Sequence, residues 1–332
     1  MHRHVLDGHG KNGQDGELVS SLNQDCRSAT AVFLVDRILC PVSPLTQKRM
    51  SDIENQKLKA ETFRKLHRAA RILVLPNTWD VASSRIIEDA GFEAIATSSA
   101  GVAFSLGYPD GQRISRSEMM AAVGRIAPAV KIPVTADSEA GYGDRPEDAA
   151  QTATEVIAAG AVGMNLEDSR DEGAHPLIDL SLAVEKIKAV RQAAAAAGVP
   201  IVLNARTDVY LAEVGKPERR YDETVRRLAA YRDAGADCLF APGVRDKSTI
   251  ERLVQDLKWP MNILAGPGFP SIPELQKLGV ARVSLGSGPM RATLGLLARL
   301  AKELRTSGAY DAMNGAPTHA DVNKMMEAIP QP

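Results

Sequence analysis

The side chains able to do chemistry are mostly carboxylates with one arginine, and they come in short clusters. Asp137 and Glu139 stand two apart, Glu167 and Asp168 are adjacent, and Asn204, Arg206 and Asp208 alternate. Ser98 and Ser99 form a smaller polar pair. Each cluster follows an apolar run, which would place several acids at the ends of apolar segments. Burying uncompensated carboxylates is costly. A bound divalent cation would compensate them, and oxygen ligands with water suit Mg²⁺ or Mn²⁺. Arg206 is then available to grip a substrate carboxylate with two parallel hydrogen bonds. Plainer readings stand beside these: Asp137 as a turn or capping acid, Glu167 and Asp168 as a solvated pair, Arg206 and Asp208 as a mutual ion pair. The serines say little alone, because serine is common in turns.

Positioning such a set requires a scaffold, and the chain between Arg71 and Arg305 shows one. Short apolar runs recur at RILVLP (71–76), EAIATS (93–98), IPVTAD (132–137), VGMNLE (162–167), PIVLNAR (200–206), DCLFAPG (237–243), MNILAG (261–266) and ARVSLG (281–286). Each has the length of a buried strand and lacks polar alternation, as in a parallel sheet covered on both faces. Helical segments such as RPEDAAQTATEVIAAG lie between them, and Gly91, Gly160, Gly198, Gly235 and Gly279 sit where helices would end. Eight such units predict a closed (β/α)₈ TIM-type barrel. An open doubly wound sheet is the alternative, but LPNTWD rather than GxGxxG follows the first strand. In a barrel, the C-terminal strand ends form the site. Ser98, Asp137, Glu167 and Arg206 would all point toward that mouth, while strands seven and eight lead into the glycine-rich turns AGPGFPS and LGSGP.

Length and charge agree with an ordinary globular enzyme. The 332 residues suit one large domain with extras. A net charge of -1 gives no footprint for nucleic acid or an anionic membrane surface. Three cysteines, Cys26, Cys40 and Cys238, form no disulfide framework or metal knuckle, which predicts a cytoplasmic protein. The richest apolar run, near Ala193 to Leu203, is too short and broken to span a bilayer. Residues 1–49 read as an irregular N-terminal extension without an export signal. Residues 50–307 read as the barrel, with Met50 a second candidate start. Residues 308–332 read as a C-terminal helical tail, with a helix from Thr318 to Ile329 capped by Thr318 or Asp321. Its apolar face of Val322, Met325, Met326 and Ile329 needs a partner surface. Cys238 is expected in the core or helix layer. Among the histidines, only His175 falls in a strand-to-helix loop.

The motifs NTWDVASSRIIEDAGFEAI, TSSAGVAFSLGYPDG, PVTADSEAGYGD, NLEDS, NARTD, LAGPGFPS and LGVARVSLGSGPMRA occur in that order. Together they resemble the isocitrate lyase / phosphoenolpyruvate mutase superfamily from about Leu73 to Arg305. The resemblance implies a barrel with C-terminal helices able to exchange between subunits, in a homotetramer or dimer. It implies Mg²⁺ held mainly by Asp137, with Asp110, Glu139 and Glu167 binding its waters or the ion itself. It also implies that Arg206 grips substrate carboxylate and that Ser98, Ser99 and Ala100, with Asn204 nearby, cradle the 2-oxo acid. Arg206, Glu167 and Asp110 are thereby the catalytic candidates.

The loop after Glu167 departs from the family templates. DSRDEGAHPLIDL lacks the KKCGH cysteine of the isocitrate and methylisocitrate lyases. It also lacks the lysine and asparagine of the phosphonate-processing gating loop. The leading expectation is a Mg²⁺-dependent lyase cleaving a C–C bond of a small 2-oxo or 2-hydroxy di- or tricarboxylate through a metal-stabilised enolate. The alternatives are a P–C bond enzyme of the phosphoenolpyruvate mutase or phosphonopyruvate hydrolase type, and a non-catalytic carboxylate-binding barrel. The general acid or base is unassigned.

Overall fold

A computed structural model describes residues 44–169 and 176–327. The chain begins with α1 (Pro44–Leu66), then β1 (Leu73–Leu75), β2 (Asn77–Thr78), α2 (Val81–Asp89) and β3 (Ile95–Thr97). It continues through α3 (Ser99–Ser105), α4 (Arg116–Ala129), β4 (Val134–Asp137), α5 (Pro146–Ala158), β5 (Gly163–Glu167) and α6 (Leu180–Ala197). Next come β6 (Val202–Arg206), α7 (Pro217–Asp233), β7 (Cys238–Phe240), α8 (Lys247–Leu257), β8 (Met261–Leu264), α9 (Ile272–Lys277) and β9 (Arg282–Ser284). The last elements are α10 (Gly288–Thr306), a 3₁₀ turn (Asp311–Met313) and α11 (His319–Glu327). All eight runs read as strands are strands, paired in parallel throughout.

The first run supplies β1, and β2 is a short strand beyond the run read from sequence; the two are separated by Pro76, which ends the run and has no N–H to give. Before it, β1 pairs with β9; after it, β2 pairs with β3, and this change of partner closes the ring. Asn77 secures the seam with its side chain. Its Oδ1 accepts from the backbone N–H of Leu285 and Gly286 at 2.7 and 2.9 Å, and its Nδ2 donates to the Thr97 carbonyl at 2.8 Å. The open-sheet alternative is thereby set aside.

Local chemistry explains the helix boundaries. Asp80 caps α2 through the Ser83 N–H at 2.7 Å, and Ser115 with Glu118 makes a reciprocal capping box on α4. The five glycines expected at helix ends all have positive φ, from +71° at Gly198 to +108° at Gly235. Thr318 and Asp321 cap α11 together, not one or the other. Its Val322, Met325 and Met326 are half-buried, whereas Ile329 lies outside the described residues. The last barrel helix, α10, leaves Leu294, Leu296, Leu297 and Leu304 exposed.

One helix begins before the boundary set from sequence. α1 starts at Pro44, inside the segment read as irregular. It crosses the N-terminal ends of the strands. Gln56 donates to the carbonyls of Ile157 and Ala161, Lys59 to that of Val130, and Arg64 to that of Pro200. Its apolar stripe, Ala60 and Phe63, is fully buried. A Cβ on Gly163 would come within 2.8 Å of Phe63 Cε1 and of Thr135 Oγ1, so only glycine lets that ring close the floor. No helix among the described residues is long and apolar enough to cross a membrane.

Candidate active site

Strand alternation sends Asp137, Asn165, Glu167, Asn204 and Arg206 toward the barrel interior. The register sets them in layers, with Asp137 beside Asn165, Asn165 beside Asn204, and Glu167 beside Arg206. Asp137 is held on one oxygen by Ser99, whose N–H and hydroxyl donate to Oδ2 at 3.1 and 2.8 Å. Asn165 Nδ2 reaches its other oxygen at a looser 3.3 Å. Ser98 is occupied as the cap of α3, accepting from Gly101 N–H at 3.1 Å, and Ala100 is buried in the first turn of that helix. The serines therefore orient the acid and its loop.

Glu139 sits in the loop after β4, in a left-handed conformation at φ +47°. Gly141 at +90° and Tyr142 at +54° continue this unusual path. Buried Lys186 from α6 holds the loop, donating to the carbonyls of Ala140 and Gly143 at 2.9 and 2.7 Å. Glu139 is almost completely buried, and its Oε2 has no hydrogen-bond partner. Burial pushes its carboxyl up to about 9, reinforced by the charges of Asp137, Glu167 and Asp110. The Tyr142 hydroxyl is also buried without a partner. Burial and Glu139 raise its pKa, so it stays protonated.

Glu167 and Arg206 form an ion pair at 2.6 Å, and Ser169 donates to Glu167 Oε1 at 2.5 Å. Burial pushes Glu167 up to about 8, against the pull of Arg206. Asp208 accepts from Arg206 Nε and Nη2 at 2.5 and 2.7 Å, so the mutual ion pair is real. Burial works against the guanidinium's charge, but Glu167 and Asp208 outweigh it and raise its pKa. The ring of Phe240 lies 5.8 Å from the guanidinium carbon. Asp168 is no solvated partner of Glu167: it is buried among Tyr231, Thr207, Arg227 and the Asp208 N–H.

Two candidates lie away from this group. Asp110 is exposed on the loop before α4, accepting from Gly111 N–H at 3.1 Å, and acts on Glu139 through its charge. Asn204 is fully buried one layer below Arg206, with Nδ2 on Asn165 Oδ1 at 2.7 Å. Cys238 lies in the core as expected, its thiol pushed up to about 12 by burial. His175 lies outside the described residues. His67, at the end of α1, is buried and meets Arg282 at 3.5 Å inside the floor.

Among the described residues, no three carboxylate, imidazole or thiolate groups form a ready metal cage. Mg²⁺ asks for less, since one or two carboxylates and several waters commonly hold it. The unpartnered Glu139 oxygen among like charges fits that demand. Asp137 and Glu139 are the residues that would hold such an ion.

Several side chains here escaped the sequence reading, including Lys186, Arg227, Tyr231, Asn165 and Arg282. Two carried a signal. Lys186 falls on the buried stripe of Ala183, Ile187 and Val190, and Arg227 on that of Thr224, Leu228 and Tyr231.

Comparison with known proteins bears on this site. The phosphoenolpyruvate phosphomutase family model matches residues 63–305. An uncharacterized protein of Mycobacterium tuberculosis (strain ATCC 25618 / H37Rv) is 38% identical over 269 residues, covering 81% of this chain and 93% of that one. A solved structure from Burkholderia cenocepacia J2315, assigned provisionally as a lyase/mutase, has a TM-score of 0.77 at 40% identity, over 82% of this chain and 96% of that one. Oxaloacetate decarboxylase 2 of Pseudomonas fluorescens (strain Pf0-1) is 32% identical over 63% of this chain and 70% of its own length. With the barrel and the ordered motifs, these matches establish that the chain belongs to the isocitrate lyase / phosphoenolpyruvate mutase superfamily.

Proposed function

We propose that this chain is a Mg²⁺-dependent lyase that cleaves a C–C bond in a small 2-oxo or 2-hydroxy di- or tricarboxylate. The observation carrying this reading is the buried, unpartnered Glu139 oxygen, which feels the charges of Asp137, Glu167 and Asp110, with Glu167 itself paired to Arg206. The similarity to an oxaloacetate decarboxylase supports the substrate class. Bound Mg²⁺ supplies positive charge for the oxygen that turns negative as a 2-oxo acid passes to its enolate.

The protein's own groups do the rest. Ser99 fixes Asp137 Oδ2 through two donors, so that Oδ1, met loosely by Asn165 at 3.3 Å, would take the ion. Glu139 offers a second oxygen, and Glu167 and Asp110 orient water around it. Arg206 has Nε and one face of Nη2 taken by Asp208 and meets Glu167 through Nη1. Its remaining N–H groups form the edge that takes substrate carboxylate.

The test is product release from a panel of such acids, oxaloacetate first, with Mg²⁺ and with chelator. Magnesium-dependent pyruvate or oxalate release is the expected result, and no metal-dependent turnover across the panel sinks the reading. A P–C bond enzyme is the second reading, favoured by the matching family model. Phosphate release from phosphonopyruvate would select it. Tight oxalate binding without any turnover would instead select a carboxylate-binding barrel.

A further inference from the structure

Arg206 is held by the carboxylates of Asp208 and Glu167, and a further carboxylate, Asp168, is buried behind them. Asp168 follows Glu167, so its side chain leaves the barrel on the opposite face, toward α7. It is 1% exposed. Its Oδ2 accepts from the Tyr231 hydroxyl at 2.6 Å, Thr207 Oγ1 at 2.7 Å and Arg227 Nη1 at 3.0 Å. Its Oδ1 accepts from the Asp208 N–H at 3.0 Å. Arg227 is itself braced by Glu223 at 2.7 Å. A carboxylate this deep is tolerated only when its lone pairs are met, and these four donors meet them.

The placement of these donors gives the knot its meaning. Thr207 and Asp208 are the two residues after Arg206, and Asp208 is the group that holds Nε and Nη2 of Arg206. The ends of β5 and β6 are already joined by their backbone ladder through Glu167 and Arg206, so the knot is not needed to pair the strands. What it fixes is the turn at 207–208, and through it the Asp208 carboxylate. We propose that Asp168, clamped by Tyr231 and Thr207, is a positioning residue that sets the Arg206 guanidinium for its ligand from the outer face of the barrel. This deepens the reading of Arg206 as the carboxylate grip and rests on it.

The test compares Tyr231→Phe with Tyr221→Phe in the full chain. Both changes lie on α7, and each removes one tyrosine–aspartate hydrogen bond; the control loses the exposed Tyr221–Asp256 contact of 2.7 Å. Two quantities are read: oxalate affinity in saturating Mg²⁺, and the rate at which the Arg206 Nε–H exchanges with water by ¹⁵N NMR. That resonance is identified by its loss in Arg206→Lys. Tyr231→Phe is expected to weaken oxalate and speed the exchange by about three- to tenfold each, less than the full loss of a hydrogen bond to a charged group because the effect reaches Arg206 through Asp168 and Asp208. Thr207→Val should act in the same direction, and Tyr221→Phe should change neither quantity. If Tyr231→Phe matches Tyr221→Phe in both, the proposal is overturned. If the unaltered chain binds no oxalate, the functional reading falls. The exchange rate then decides alone whether the knot positions Arg206.

Discussion

The two ends of the barrel handle buried charge in opposite ways. At the floor, Asp237 is enclosed by cations and donors: Arg64 at 3.1 Å, Arg191, and the Leu203 N–H at 2.8 Å. Among the described residues, the hydrogen-bond partners of fully buried Arg282 are neutral, Asn165 at 3.4 Å and His67 at 3.5 Å. Burial pushes Arg282 down to about 10 and His67 down to about 3, so His67 stays neutral beside it. At the mouth, acids outnumber cations, and Glu139 keeps an oxygen with no donor at all. At the floor the buried acid is met by the chain's own donors, and the nitrogens left without a partner belong to cations, Arg191 Nε and Arg282 Nε. At the mouth an atom left without a partner belongs to an acid, which is the arrangement that would favour a cation there.

The largest expected effect breaks the floor alone. Phe63→Ala opens a hole where Gly163 allows the ring to enter, and should cost about 3–5 kcal/mol in denaturant unfolding. Oxalate affinity of the folded fraction should stay unchanged; a parallel loss would mean that the two ends are not separable. The next breaks the mouth alone. Arg206→Lys gives up paired donors to carboxylate and should lower kcat/KM by about 100-fold, with unfolding nearly unaltered. A drop of less than about threefold would remove Arg206 from the grip.

The last test concerns pH and is read as a small difference in slope per pH unit. The folded carboxyl of Glu139 lies near 9, above its ordinary 4.5, so the native state holds this proton more tightly. Its stabilising contribution is complete below about pH 4.5 and is lost as pH rises through 9. Metal-free stability should therefore fall over that interval by about 1 kcal/mol per pH unit more in the unaltered chain than in Glu139→Gln. Mg²⁺ should flatten the difference, which thermal melts across pH would show. Equal slopes without metal would mean that Glu139 is already compensated.

Much of this contrast was legible in the sequence. The strand runs, the glycine helix ends and the acids at strand termini follow from local pattern, and all have structural counterparts. The floor was harder to read. α1 is polar along most of its length because Gln56, Lys59 and Arg64 reach backbone carbonyls rather than apolar surface. No periodicity rule rewards such contacts. Asn204 was grouped with the substrate contacts because it shares a strand with Arg206. Only the register shows that it lies one layer deeper, on Asn165. The Asp168 knot depends on residues nearly 60 positions apart, such as Asp168 and Arg227 with |i−j| of 59, a separation no local pattern reports.

The Asn77 seam has a mechanical consequence. Where the ladder changes partner at Pro76, a side chain adds a second tie across the join. Asn77 holds the Leu285–Gly286 turn with one atom and the Thr97 carbonyl, next to Ser98 and Ser99, with another. One amide thus ties the rim that orients Asp137 to the glycine turn after the last strand, so a change at residue 77 would be felt at both.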